Sequence, residues 1–199
     1  LALFCWWRST NFLVLLYTGI ADTSLYNALV AIYKNIDTSF KENRLYKNMF
    51  ASISELNLRN NNISSISGLK NLNLDSLTSI DLSFNNLSSI DLNEFSQIGK
   101  NSESDNMLHT INLSCNKITT VSVYSLPRLQ KLLLQENLIK GIDISTLNLS
   151  TLNISNNKIT DLNNVKLPIS TTALDVFELN NQISSIPDSF DASNINLVI

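Results

Sequence analysis

Glycine and proline are scarce in this chain, four and three among its 199 residues. So few glycines leave little room for a phosphate-cradling loop, and no nucleophile elbow or metalloprotease motif occurs. The only histidine, His109, cannot build a histidine-based metal site alone, and no cysteine pair has ligand spacing. His109 reads as an ordinary surface residue. The two cysteines, Cys5 and Cys115, are too far apart for a disulfide framework, and Cys115 reads as packing rather than as a nucleophile. Net charge is −3 and like charges never run beyond two residues, which argues against a nucleic-acid groove. The apolar start is broken by Arg8, Ser9, Thr10 and Asn11, short of the roughly 20 apolar residues a membrane span needs. No catalytic, cofactor-binding or metal-binding residue is assigned, and the expectation is a protein that is not an enzyme.

What the chain does have is periodic leucine and isoleucine among many asparagines and serines. That periodicity rejects disorder despite the polar composition. Five stretches share the pattern L-x-x-L-x-L-x-x-N-x-I. Ile53, Leu56, Leu58, Asn61 and Ile63 form the first copy, and Leu77, Ile80, Leu82, Asn85 and Leu87 the second. Leu108, Ile111, Leu113, Asn116 and Ile118 follow, then Leu129, Leu132, Leu134, Asn137 and Ile139, then Leu149, Leu152, Ile154, Asn157 and Ile159. This is the leucine-rich-repeat signature. The expected fold is an α/β leucine-rich-repeat solenoid with a parallel concave sheet and an N-terminal helical cap. In each L-x-L core the apolar residues point inward and the others outward, because side chains alternate along a strand. The stacked asparagines should form a ladder that satisfies buried backbone groups at the bend. Ile66, Ile90, Val121, Ile142 and Leu162 should close the coils from the other side.

The outward positions define a concave face: Glu55, Asn57 and Arg59, then Ser79, Asp81, Ser83 and Phe84, then Thr110, Asn112 and Ser114. Lys131, Leu133 and Gln135 come next, then Thr151, Asn153 and Ser155, with Glu178 at the end. Binding hot spots favour large or charged side chains. The candidate protein-binding residues are Glu55, Arg59, Asp81, Phe84, Asn112, Lys131, Leu133, Gln135 and Glu178. Glu178 depends on the sixth repeat, which breaks the pattern. Counting from Asn181 turns Glu178 inward, whereas a shorter turn places Phe177 and Leu179 inside. The second choice avoids burying an unpaired carboxylate. The long step between Asn85 and Asn116 carries a polar insert over 98–106, expected to bulge as a loop. It is a tolerated insertion or, alternatively, a binding loop.

Residues 22–52 read as a helical cap. Thr23 or Ser24 can serve at the helix start, with Asp22 adding favourable charge. Leu25, Ala28, Leu29, Ile32, Tyr33 and Ile36 form one stripe, and a second short helix should run through Leu45, Met49 and Phe50. Asp22-Thr23-Ser24-Leu25-Tyr26-Asn27-Ala28-Leu29, then Tyr46 to Ser52, then Ile53-Ser54-Glu55-Leu56-Asn57-Leu58, resemble the front of internalin-type bacterial surface proteins. That resemblance implies a secreted or surface-displayed binding protein with a protein ligand. Residues 1–21 form an apolar leader with features of a signal-peptide remnant, an irregular hydrophobic leader being the other reading. The repeats take 53–199 and end on a strand-like segment, so the chain reads as a fragment truncated at its C-terminus. The alternatives are a cytoplasmic scaffold or regulatory subunit, and a targeting domain of a larger enzyme.

Overall fold

A computed structural model describes residues 19–41, 44–99, 106–167, 174–175, 181–188 and 190. The expected leader, but for its last residues, and the strand-like C-terminal end lie outside the described residues. The core is a parallel sheet of six short strands. In sheet order they are β1 (Glu55–Asn57), β2 (Ser79–Asp81), β4 (Thr110–Asn112), β6 (Lys131–Leu133), β8 (Thr151–Asn153) and β10 (Leu174–Asp175). Each strand is one turn of a coil, so chain order and sheet order agree along this face. The central residues Leu56, Ile80, Ile111, Leu132 and Leu152 stand in register and are all buried. Leu58, Leu82, Leu113, Leu134 and Ile154 form a second buried row just beyond. This is the inward pattern that strand alternation requires.

The other side of the coils carries two further parallel pairs. Strands β3 (Ser89–Asp91) and β5 (Thr120–Ser122) join Ile90 to Val121, and β7 (Ile142–Asp143) and β9 (Val165–Lys166) join Ile142 to Val165. Leu162, expected among the residues that close the coils, is buried in the 3₁₀ turn Leu162–Asn164, and Val165 is the residue that pairs with Ile142. The longer fifth coil therefore reaches its second strand three residues later.

The bend between the two sides is held by asparagines. Asn116 Nδ2 donates to the carbonyls of Leu82, Leu113 and Ser114 at 3.0, 3.0 and 3.2 Å, and its Oδ1 accepts from Leu87 N–H. Asn85, Asn137 and Asn157 repeat this arrangement. Each side chain thus bonds its own turn and the coil before it. All four are buried. A buried, unpaired backbone group costs about 1–3 kcal/mol, so these amides fix the bend by preventing that loss.

Helix α1 (Thr23–Ile36) seals the N-terminal end. Its N-cap is Asp22, not Thr23 or Ser24. Asp22 Oδ1 accepts from Leu25 N–H at 2.9 Å, while its Oδ2 accepts from Ser64 N–H and Oγ and from Ser65 N–H on the first coil. One carboxylate therefore caps the helix and docks it. Burial on its own would raise the pKa of Asp22, but these donors prevail and hold it below the usual value. The buried helix residues are Leu25, Tyr26, Ala28, Leu29 and Val30, whereas Ile36 is 53% exposed. Ile32 and Tyr33 pack partly buried against the core, so the expected stripe holds as far as Tyr33 and Ile36 alone departs from it.

No second helix forms at Leu45–Phe50. Met49 N–H bonds Tyr46 O, Ala51 N–H bonds Asn48 O, and Ile53 N–H bonds Phe50 O, a run of tight turns. Starting a helix is costly, and the few residues before β1 cannot repay it. Leu45 and Phe50 are nonetheless buried, and Tyr33 meets Phe40 and Phe50 edge to face. Gly68, at φ +108°, lets the chain before α1 reach the first coil; a Cβ there would lie 2.9 Å from Gly19 O.

Candidate functional site

The sheet's outer surface is built from two rows in register. Glu55, Ser79, Thr110, Lys131 and Thr151 form one, and Asn57, Asp81, Asn112, Leu133 and Asn153 the other. The expected outward residues of β1 to β8 therefore do share one face. Glu55 and Lys131 are exposed, while Asp81, Asn112 and Leu133 are half-buried.

Some of these side chains also serve the fold. Asp81 Oδ1 accepts from Ser83 N–H, Asn112 Oδ1 accepts from Ser114 N–H and Oγ, and Asn153 Oδ1 does the same for Ser155. Ser83, Ser114 and Ser155, expected on the presented face, are buried at 0, 3 and 4% exposure. The chain is already bending there, and the neighbouring acceptors tie the serines down.

Arg59 and Phe84 come together. The guanidinium carbon lies 3.9 Å from the ring centroid, and Nη1 donates to Ser83 Oγ at 2.8 Å. Phe84 is 45% exposed. A cation over an aromatic face contributes about 0.5–1 kcal/mol at such a site. Sequence alternation placed both residues on this face without indicating that they stack.

The residues just before the ladder asparagines form a ridge that alternation alone does not reveal. Asn60, Phe84, Cys115, Glu136 and Asn156 all have φ between 53° and 57°. The first four donate their N–H groups, in order, to Ser83, Ser114, Gln135 and Ser155 carbonyls at 2.9–3.0 Å. The five backbones therefore stack in register along the rim of the sheet. Cys115 Sγ lies 3.3 Å from Glu136 Oε2. Burial, reinforced by that carboxylate, pushes the Cys115 thiol up to about 11, which fits packing rather than nucleophilic chemistry. Beside Glu136, the buried acceptors Gln135 Oε1 and Asn156 Oδ1 have no hydrogen-bond partner.

The sixth strand pairs through Leu174 opposite Leu152, earlier than the expected Phe177–Leu179. Asn181 still completes the ladder, accepting from Asn157 and Ile159 N–H groups and donating to Ile154 O. The orientation of Phe177, Glu178 and Leu179 lies outside the described residues. Of the polar insert, residues 100–105 also lie outside them. Its two ends are joined by Met107 N–H to Gly99 O at 2.6 Å, with Asn106 buried beneath. His109 is half-buried immediately before β4. Among the described residues no group of three or more His, Cys, Asp or Glu side chains is placed to hold a metal ion, and no helix is long and apolar enough to cross a membrane.

A family model described as Leucine Rich Repeat matches residues 76–98 and 148–168, and a second, Leucine Rich repeat, matches 104–126. No curated protein matches the chain. Solved structures similar to it include the functional domain of InlJ from Listeria monocytogenes, described as including a cysteine ladder. That likeness has 25% identity and a TM-score of 0.48, over 73% of this chain and 33% of the other. The internalin InlF from Listeria monocytogenes is similar at 19% identity and a TM-score of 0.37, over 83% of this chain and 71% of the other. The chain thus spans about a third of the InlJ domain. Arrays of this kind are typically non-enzymatic surfaces for protein interaction. Its family-model matches in three coils, its stacked parallel strands and its asparagine ladder give the chain the fold of a leucine-rich-repeat solenoid.

Proposed function

We propose that this protein is a non-enzymatic protein-binding module, secreted or displayed on a bacterial surface, that takes its partner on the concave face. Residues 22–52 act as the cap and 53–199 as the repeat array. The reading rests chiefly on one observation: three coils hold Arg59, Phe84, Lys131 and Leu133 on one surface otherwise made largely of Ser, Thr and Asn. Small polar residues rarely dominate binding energy, whereas arginine and aromatic side chains do. Neighbouring strands lie about 4.8 Å apart, so residues from β1 to β6 fit within the roughly 800 Å² that one partner covers. Glu55, Asp81, Asn112 and Gln135 belong to the surrounding polar surface, to which the sequence pattern adds Glu178.

The test is a Phe84→Ala, Leu133→Ala double variant. It should fold normally and lose affinity for a partner that the wild type captures and binds as a purified protein. Retained affinity, together with its loss on replacing the 98–106 insert, would move the site to the insert. Fractionation of the source cells with an antibody to the repeats tests the location, and signal confined to the cytosol would reject surface display.

A further inference from the structure

We infer that the rim ridge recognises an extended acidic-to-basic peptide segment, with a carboxylate at Arg59, an apolar side chain against Phe84 and a basic side chain at Glu136. This rests on the protein-binding reading above and deepens it.

The first support is conformational. All five ridge positions are left-handed, a region where Asn is tolerated and a bulky residue is a genuine outlier. Asn occupies the first and last. Phe84 stands at φ 56° with its ring 45% exposed, so it neither suits the backbone nor fills the core. A bulky side chain held in that region stores strain, and such residues cluster where a surface makes contacts.

The second support is electrostatic. Among the described residues no carboxylate pairs with the Arg59 guanidinium, which is fixed by the ring below it and by Ser83 Oγ. Its remaining donors are preorganised for a carboxylate, the group that arginine's planar fork matches best. Two coils further on the chemistry reverses. Glu136 is exposed on the ridge, with one carboxylate oxygen 3.3 Å from Cys115 Sγ. An exposed carboxylate matches a basic side chain, lysine or arginine, on a ligand.

Spacing then defines the ligand. Phe84 and Glu136 are two coil steps apart, about 10 Å at 4.8 Å per step, and an extended peptide covers that in about three residues. The segment therefore carries an apolar and a basic residue about three positions apart, with an acidic residue beyond the apolar one, on the side of Arg59.

The experiment has two arms. The probe for the first is a bead-displayed library of random seven-residue peptides, selected separately on wild type, Arg59→Gln and Glu136→Gln. Wild type should enrich the acid–apolar–base spacing; Arg59→Gln should lose the acidic preference and Glu136→Gln the basic one. A wild-type selection without that spacing, or variants that keep the full consensus, would overturn the inference. The second arm measures urea midpoints for Phe84→Asn in an Arg59→Gln background, where no cation holds the ring. The midpoint should rise, and an unchanged or lower one would overturn the strain argument. If a purified partner's binding is lost with Lys131→Ala plus Leu133→Ala but kept with Arg59→Gln and Glu136→Gln, the ridge inference fails while the concave-face reading stands. If the partner tolerates both pairs of changes, both readings fail.

Discussion

Asn61 and Asn116 occupy equivalent places in their repeats, yet the protein uses them differently. Asn116 bonds two coils and is buried, whereas Asn61 is half-buried and its side-chain amide donates to Arg59 O in its own coil. The ladder works backward: each amide reaches into the preceding coil. The first coil has no predecessor for Asn61 to reach; Asn85 takes its Asn61 and Ile63 N–H groups, and Asp22 at the start of the helix takes the next two, those of Ser64 and Ser65. A repeat residue is structural only where a neighbour supplies something to bind, so the end of the array needs a different device.

That contrast can be broken at several points. Removing residues 22–50 should have the largest effect, because it exposes Leu56, Leu58 and the open edge of β1 at once. Light scattering at matched concentration should show association of the truncated protein. A monodisperse, folded truncation would show that the segment is not a cap.

Next in size, Asn116→Ala should destabilise by about 1–3 kcal/mol, the cost of orphaned backbone groups, while Asn61→Ala should cost under about 0.5 kcal/mol. Urea melts of the two variants measure the difference directly. Equal losses would mean that ladder position, not the preceding coil, decides the contribution.

A smaller, pH-dependent effect should follow Asp22. Its pKa is lowered in the folded state, so its stabilisation is present above the unfolded carboxylate value, about 3.9, and fades as pH falls through the folded value. Asp22→Asn keeps an acceptor for Leu25 but removes the charge. Subtracting its urea midpoints from those of wild type between pH 6 and pH 2 should leave a gap that closes in acid. A constant gap would rule out the charge as the cause.

The smallest effect concerns reactivity rather than stability. With its thiol raised to about 11, Cys115 should be alkylated at pH 8 far more slowly than an ordinary exposed thiol, and Glu136→Gln should speed the reaction. Peptide mapping separates Cys115 from Cys5. Equal rates in both proteins would show that the carboxylate does not restrain the thiol.

The buried rows, the ladder and the two outward rows of the sheet were legible in the sequence, because period-two alternation and one recurrent asparagine follow from local backbone geometry. Leu56, Ile80, Ile111, Leu132 and Leu152 stack where that reading puts them. Four features were not legible. Asp22 is the helix cap because Ser64 and Ser65, 42 and 43 residues away, approach it from the first coil. The turns at 46–50 replaced a helix because a short segment was pulled into the core at Leu45 and Phe50. Val165, not Leu162, pairs with Ile142 because the fifth coil is longer. The rim ridge depends on left-handed backbone at Phe84, Cys115 and Glu136, residues whose own preferences point elsewhere. Local periodicity thus determined the repeating unit and which side chains face inward. Contacts between coils decided the cap, the pairing on the far side and the stacking of Arg59 on Phe84, because each joins residues that only the completed solenoid brings together.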